Sequence, residues 1–339
     1  MRDYIIKRLC FMLVTLLAIT VASYTMMRLA PGDPVRSQLV GGGADQGVRS
    51  QDKDRSRIEE MLRQKYYLDK PIMVGYAYWL KGVILHGDFG TSIVYDRGAP
   101  VTRIILERIP ITLRLNLLSL LLVYVLAVPI GIYAAIRRNH WSERLLGLGL
   151  FLLYSMPSFW VGLLLLLFFS SDLFFNLFPV TGLEPPVAAT WGQSYWGILG
   201  LRARHYVLPV ICLSYGGFAG LSRFARVGLL EVIGQDYIRT ARAKGVGEAR
   251  VILVHALRNG MMPLITLFAD LLPGLVAGSV IVEYIFSIEG MGSLAVQALG
   301  CRDYPLMMAI FTMGSFLTLV GILLADLCYA FIDPRIHYE

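Results

Sequence analysis

Asp270 is the residue in this chain whose position most favours chemistry. It lies two helical turns after Pro263 in an apolar run, and Pro273 follows one turn later. A carboxylate at membrane depth costs about 2.5 to 3.5 kcal/mol on insertion scales unless it faces a cavity or a partner. Two roles are therefore open: Asp270 carries a proton on a transport pathway, or it forms a hydrogen bond between subunits. Asn116 and Tyr215 are polar residues of other apolar segments, and we predict that they line the same pathway.

Motifs for hydrolysis, phosphate binding and metal binding are absent from the sequence. It contains no Gly-x-x-x-x-Gly-Lys-Ser/Thr loop to hold a nucleotide phosphate, no Gly-x-Ser-x-Gly elbow and no His-Glu-x-x-His pair. The four cysteines form no Cys-x-x-Cys pair. We therefore expect no catalytic residue, no metal site and no cofactor bound by this chain.

A polar, basic stretch at residues 234–263 interrupts the apolar second half of the chain. Its first part predicts a short helix with Asp236 in the first turn and Lys244 in the last turn, where each charge complements the helix dipole. Gly245 follows, and we expect it to form a left-handed, closely packed C-terminal cap.

A second short helix is predicted from Glu248 until Pro263 ends it. Val251, Val254 and Leu257 recur every three residues and predict one apolar stripe. Outside a membrane, this stripe must pack against the rest of the chain or against a soluble partner. The alternative is a basic helix that lies on anionic lipid.

The elements that must position these residues are membrane-spanning helices. Of the 339 residues, 56% are hydrophobic and 16% are charged, against roughly 25% charged residues in an average soluble domain. Apolar runs of about 20 residues are long enough to span a bilayer as helices. The sequence predicts an all-α polytopic membrane protein with six spans, near residues 9–29, 113–136, 145–169, 207–230, 263–284 and 307–332.

Lys and Arg residues in the short segments beside the predicted spans determine the predicted orientation of the chain in the membrane. With both termini in the cytoplasm, the two short outer loops contain only Arg202, Arg204 and Arg302, whereas the inner segments are rich in Lys and Arg. The net charge of +7 comes mostly from these inner segments and is explained by membrane topology, so it does not indicate a nucleic-acid partner. The predicted domains are an N-terminal anchor helix at 1–29, an insertion on the outer side of the membrane at 30–112 and a five-helix core at 113–339 that contains a cytoplasmic loop at 231–262.

Two predicted spans contain proline. Pro129 lies in the second span and Met156-Pro157 in the third, and a proline inside a membrane helix bends the helix and frees a backbone carbonyl. Such kinks allow either two shapes of the bundle or only irregular packing. In the fourth span, Gly216, Gly217 and Gly220 predict a close approach to another helix.

The polar stretch carries a family resemblance. Tyr237-Ile-Arg-Thr-Ala-Arg-Ala-Lys-Gly245, His255-Ala-Leu-Arg-Asn259 and Pro263 resemble the cytoplasmic loop of bacterial ATP-binding-cassette importer permeases. The match is to the dipeptide/oligopeptide and nickel subfamily, and to its first permease chain. The wider family has Glu-Ala-Ala, three residues and Gly, whereas this chain has Arg239-Thr-Ala241 before Gly245 and a longer spacing to Pro263. Both departures resemble the peptide subfamily, and no ion pair from the absent Glu is assumed.

The resemblance implies the type I importer permease fold, in which this loop forms a coupling helix that docks on a separate ATPase. It implies packing roles for Tyr237, Ala241 and Gly245 and polar contacts from Arg239, Arg242 and Lys244. The coupling set is Asp236, Tyr237, Arg239, Thr240, Ala241, Arg242, Ala243, Lys244 and Gly245.

The implied assembly lies in the bacterial inner membrane. It contains this chain, a second homologous permease, two cytoplasmic ATP-binding subunits that hold ATP and Mg, and a periplasmic solute-binding protein. Peptide is the preferred cargo, while nickel complexes and glutathione-like solutes stay open. The rival functions are an ion-driven secondary carrier that uses Asp270 and a membrane scaffold whose basic loop only contacts lipid.

Overall fold

The fold is helical throughout the part of the chain that the computed structural model describes, which is residues 2–29, 60–61, 63–64, 66–261, 264, 267–268, 271–275 and 278–332. Within these ranges there is no β-strand, and one isolated antiparallel bridge joins Thr91 to Pro100. Asp270, Pro263 and five other residues of the predicted fifth span lie outside the described residues. The six-span count and the proton-carrying role of Asp270 therefore stay predictions.

The helices are numbered in chain order. They are α1 (Arg2–Leu29), α2 (Ile72–His86), α3 (Val101–Ile136), α4 (Trp141–Ser155), α5 (Ser158–Phe169), α6 (Val187–Thr190), α7 (Tyr195–Ile233), α8 (Asp236–Ala243), α9 (Glu248–Arg250), α10 (Leu257–Gly260), α11 (Val280–Ile285), α12 (Met291–Cys301) and α13 (Tyr304–Ile332). A π-helical segment, Val251–Ala256, joins α9 to α10, and a 3₁₀ turn spans Leu272–Leu275.

Four of the described helices, α1, α3, α7 and α13, are long and apolar enough to cross a membrane. They contain the first, second, fourth and sixth predicted spans. The predicted third span is instead two helices, α4 and α5, bent by 101° at Met156-Pro157. The break follows from Pro157, which lacks the N–H that a continuous helix needs and disfavours helical backbone at the residue before it.

The chain divides into two compact units, of which the first comprises residues 1–111 and 290–323. Its core is built from α1, α2, α12 and the N-terminal turns of α3 and α13. Aromatic side chains join α1 to α2, with the ring centroids of Tyr24 and Tyr76 5.8 Å apart. Thr20 Oγ1 and Tyr76 Oη share a buried hydrogen bond of 2.9 Å, so the outer part of α1 is fixed by both packing and polar contacts.

The second unit comprises residues 112–289 and 324–334, and α7 is its central helix, packed against α4, α5 and α10. The close helix approach is made by Gly131 of α3, where a Cβ atom would lie 2.5 Å from Ala225 Cβ. Of the three glycines that the sequence indicated, Gly217 faces Val123 closely. At the other two, Gly216 and Gly220, no atom of the described chain lies within 4 Å of an added Cβ, so a close helix approach there stays a prediction.

Candidate functional site

Helix α8 forms at the place that the charge pattern indicates. Asp236 is in its first turn as predicted, but the helix ends at Ala243, so the basic residue of the last turn is Arg242 and Lys244 is the residue that caps the helix. The chain then leaves the helix through Gly245, whose φ is +76°. The N–H groups of Lys244, Gly245 and Val246 bond to carbonyls of the last turn of α8, at 3.0, 2.9 and 3.2 Å. The predicted left-handed cap is confirmed, and it uses the conformation that glycine adopts without steric cost.

The predicted close packing at Gly245 is not made by the residues that the structure describes. A Cβ atom added there meets no atom within 4 Å. The glycine is therefore needed here for its backbone conformation, and close packing against it stays a prediction.

Helix α8 is anchored mainly by Ile238, and Ala241 of the same helix packs partly buried against the same cluster. Ile238 is fully buried and is the buried residue of this helix. It packs in a cluster with Ala135 at the end of α3, Leu229 near the end of α7, and Val251 and Ile252 of the π-helical segment. Burial of such a side chain contributes about 1.5 to 3 kcal/mol relative to exposure. A displacement of α8 must therefore displace these three elements too.

The predicted stripe of the second helix was wrong in part. Val251 is buried, but Val254 is 53% exposed, and the other buried residues of this segment are Ile252 and Ala256. The reason is the π-helical geometry, in which hydrogen bonds join residues five apart and each turn is wider than in an α-helix. Residues 251, 252 and 256 therefore share the face that contacts α8 and α7.

The face of α8 opposite Ile238 is polar and exposed. The side chains of Asp236 and Arg239 are 98% and 74% exposed, with 3.6 Å between Oδ1 and Nη1. Tyr237 is 43% exposed, and its hydroxyl accepts a hydrogen bond of 2.8 Å from Asn259 Nδ2 of α10. This face is thus available to a partner, and its tyrosine is held in place by α10.

Arg242 is held by the loop itself. Its Nε and Nη2 atoms donate hydrogen bonds of 3.1 and 2.6 Å to the Glu248 carboxylate. These bonds hold the pKa of Glu248 below its ordinary value. The pair closes the turn between α8 and α9, so Arg242 has a role inside the loop in addition to the predicted contact with a partner.

The Arg242–Glu248 pair predicts a pH dependence of the loop. Because the folded-state pKa of Glu248 is lowered, the contribution of the pair is present above the ordinary pKa of Glu, about 4.3, and is lost as the pH falls through the lowered value. The effect is small because the pair is exposed. We expect Glu248→Gln to lower the melting temperature slightly at neutral pH, and to make no difference once the pH is below the lowered pKa. A difference that grew with acidity would contradict this pairing.

The two described pathway candidates bond to irregular backbone. Asn116 Nδ2 donates a 2.7 Å hydrogen bond to the carbonyl of Leu275, in the 3₁₀ turn. Tyr215 Oη donates a 2.6 Å hydrogen bond to the carbonyl of Met156, at the break between α4 and α5. Each side chain therefore donates a hydrogen bond to a carbonyl that would accept a backbone N–H in a regular helix. Their place on a pathway stays a prediction.

Comparison with known protein families places the chain. Residues 127–338 match the family described as "Binding-protein-dependent transport system inner membrane component". Residues 1–116 match its N-terminal component, "Binding-prot-dependent transport system membrane comp, N-term". The chain belongs to this family.

Curated relatives agree with this assignment along the whole length of the permease. It is 39% identical over 338 residues to the oligopeptide transport system permease protein AppB of Bacillus subtilis, with 100% of both chains covered. It is 36% identical over 340 residues to the glutathione transport system permease protein GsiC of Salmonella typhimurium, again with 100% of both chains covered. The dipeptide permease DppB of Lactococcus lactis is 34% identical over 337 residues, 99% of this chain and 100% of that one. The predicted subfamily of importer permeases is confirmed.

A solved structure shares the fold of the permease. The inward-facing MetNI methionine ABC transporter matches with a TM-score of 0.52 and 16% identity, over 68% of this chain and 97% of the other. This likeness confirms the predicted importer permease fold. Among the described residues, no group of three or more His, Cys, Asp or Glu side chains is arranged to hold a metal ion.

Sequence reasoning missed two buried carboxylates of the permease. Glu283 of α11 is 1% exposed, and Thr112 Oγ1 donates a 3.3 Å hydrogen bond to its Oε1. The available signal was a single acidic residue in the otherwise apolar run Val280–Ile285, which is the same signal that singled out Asp270.

The second missed carboxylate is Asp303, between α12 and α13, which is fully buried. Its Oδ2 accepts hydrogen bonds from Ser92 Oγ at 2.6 Å and from the backbone N–H groups of residues 93, 94 and 95 at 2.9, 2.9 and 3.1 Å. Asp303 therefore holds the loop that precedes α3 in place.

Proposed function

We propose that this permease moves peptides or related small solutes across the bacterial inner membrane, using ATP that separate subunits hydrolyse. The relatives named for oligopeptide, dipeptide and glutathione transport support the solute class. The sequence has no phosphate-binding loop, so the proposal assigns ATP and Mg to two cytoplasmic ATP-binding subunits. A second homologous permease and a periplasmic solute-binding protein complete the proposed assembly.

The proposed orientation places both termini and the loop at 231–262 in the cytoplasm. Its support is the excess of Lys and Arg in the segments on that side. This orientation gives α8 access to the ATPase subunits. It also puts the insertion at 30–112 on the side of the solute-binding protein.

The burial of Ile238 is the observation that carries the coupling mechanism. A helix with one buried anchor and an exposed opposite face can transmit force in both directions. When ATP brings the two ATPase subunits together, the proposed docking site moves α8, and Ile238 moves the ends of α3 and α7 with it. A loosely attached loop would move alone and leave the bundle unchanged.

The bundle must have two shapes for this movement to cause transport. The 101° break between α4 and α5 is the element we propose for that role, because Pro157 interrupts the helix there and the carbonyl of Met156 is bonded to the Tyr215 hydroxyl instead of to a helical N–H. A loaded binding protein must favour one shape through contacts that the other shape lacks, since equal affinity for both would shift nothing. Asp270, Asn116 and Tyr215 remain our proposed pathway residues.

Replacement of Ile238 by alanine tests the coupling mechanism. Large-to-small changes at buried Ile cost about 2 to 5 kcal/mol, and here that cost weakens the attachment of α8 to the bundle. We expect the reconstituted transporter to keep its ATPase activity while uptake falls about tenfold or more, because each 1.4 kcal/mol is a factor of ten. The measurement is the ratio of solute transported to ATP hydrolysed in proteoliposomes.

Ile238→Val is the matched control. It removes one methylene and costs about 0.5 to 1.5 kcal/mol, so most of the uptake should return. If Ile238→Ala transports with the wild-type ratio, the anchor has no part in coupling. Co-purification of the ATPase subunits with both variants separates weak coupling from failed assembly.

Affinity purification of the chain in mild detergent tests the proposed assembly. We expect an ATP-binding subunit to be recovered with it, and to be lost when residues 236–245 are altered. Recovery of the chain alone, with uptake that collapses when the proton gradient is removed, would instead favour an ion-driven carrier that uses Asp270.

A further inference from the structure

A cleft of about 630 Å³ opens between α3, α4 and α7 in the second unit. One wall is the apolar face of α4, which includes Leu146, Leu150, Phe151 and Tyr154. These residues span roughly two turns, or about 12 Å along the helix. No residue of α4 is buried, so the described chain leaves this wall uncovered.

The other end of the cleft is basic. Arg223 and Arg226 of α7 line it together with Glu143 of α4. Arg226 Nη2 lies 3.0 Å from Glu143 Oε1, and the two side chains are 29% and 18% exposed. Arg226 Nε is buried without a hydrogen-bond partner. Glu143 is the acidic residue among the cleft-lining residues that the structure describes, so it balances one of two arginines.

Further basic residues surround this end of the cleft. Arg137 and Arg138 are exposed in the turn from α3 to α4, and Arg144 is exposed beside Glu143. Trp141, at the start of α4, is 69% exposed, and indole rings are enriched at membrane interfaces. The cleft therefore has an apolar wall that suits an acyl chain and a basic end that suits an anionic headgroup. Trp141 lies beside the basic end, as expected of a residue at the membrane interface.

We propose that this cleft binds an anionic phospholipid, with Arg223 and Arg226 at the headgroup phosphate and an acyl chain along α4. Basic pockets between membrane helices bind anionic headgroups through the same complementarity. Guanidinium groups bind phosphate through paired, charge-assisted hydrogen bonds. A free phosphate ion would use the arginines but leave the apolar wall uncovered, so the two-part lining favours a lipid. The bound lipid contacts both α4 and α7 beside the cluster that holds α8.

The test compares lipid retention by the complete, purified transporter. The complex is placed in phosphatidylcholine nanodiscs with increasing phosphatidylglycerol, and the retained phosphatidylglycerol is counted by native mass spectrometry after release into detergent. We expect Arg223→Gln to weaken retention about tenfold through the loss of one charge-assisted contact. Arg97→Gln is the matched control, since Arg97 is also exposed but belongs to the other unit, and it should bind like the wild type.

Two further measurements decide between occupants. Inorganic phosphate added to the discs should not displace the lipid, and displacement at millimolar phosphate would overturn the lipid assignment in favour of a free anion. The thiol of Phe151→Cys, in the wall of the cleft, should be labelled by a photoactivatable group on a lipid tail. Cross-linking to a second permease chain instead, together with unchanged lipid retention in Arg223→Gln, would show that protein covers the cleft and would refute the proposal.

Discussion

We expect Gly245→Asp to abolish solute uptake while leaving the chain inserted in the membrane at the wild-type level. Gly245 has a φ of +76°, where a residue other than glycine is strained by about 1 to 3 kcal/mol. A Cβ atom added at Gly245 meets no atom of the described residues within 4 Å, so we expect the bundle still to form. What changes is the end of α8, which distorts and gains a negative charge on the face proposed to contact the ATPase.

Two matched variants separate the causes of that loss. Gly245→Asn has nearly the same size as the aspartate variant and the same partial tolerance of left-handed backbone, but it carries no charge, so we expect partial uptake. Gly247→Asp adds the same charge two residues away, at a glycine with a φ of −59° and open surroundings, and should transport better than Gly245→Asp. Uptake in proteoliposomes and membrane abundance by immunoblot are the measurements. Wild-type uptake by Gly245→Asp would exclude α8 as the coupling element.

Features that local sequence determines were predicted well. The ends of α8 follow from one acidic residue, one basic turn and one glycine, which act over four or five residues. Four of the predicted membrane helices follow from apolar length, because a span needs about 20 apolar residues whatever its neighbours are. The break at Met156-Pro157 was likewise readable as a kink, although its 101° angle was not.

Features that depend on distant contacts could not be predicted in this way. The π-helical turns at Val251–Ala256 change which residues are buried, and no three-residue period reveals them. Asp303 bonds to Ser92, 211 residues away in sequence. A pattern search could flag Asp303 as a polar residue beside a span, but it could not identify the backbone donors that make it necessary.

Removal of the Asp303 carboxylate is expected to destabilise the first unit. Its carboxylate oxygens accept bonds from Ser92 Oγ, from three consecutive N–H groups at residues 93–95, and from the N–H of Leu306 at 3.3 Å. Asp303→Ala removes the acceptor and leaves these donors unpaired beside α13. The bonds from Ser92, Ile93 and Leu306 are buried, and each unsatisfied buried donor costs about 1 to 3 kcal/mol, so their loss is a large part of the roughly 5 to 15 kcal/mol that stabilises a typical domain.

We therefore expect Asp303→Ala to be degraded in cells, and the small amount recovered in detergent to be cut rapidly by protease between residues 88 and 100. Asp303→Asn should be intermediate, since its amide keeps one acceptor oxygen for the loop but loses the charge that strengthens every bond to it. Asp96→Asn is the control, because Asp96 is an exposed acid of the same loop and its loss should leave the melting temperature unchanged. The contradicting result is an Asp303→Ala variant with the melting temperature and the protease resistance of the wild type. Water would then have replaced the carboxylate as the hydrogen-bond acceptor. The loop would be held by the apolar contacts of Ile93 and Val101, which are nearly or fully buried, and the hydrogen bonds to Asp303 would be secondary.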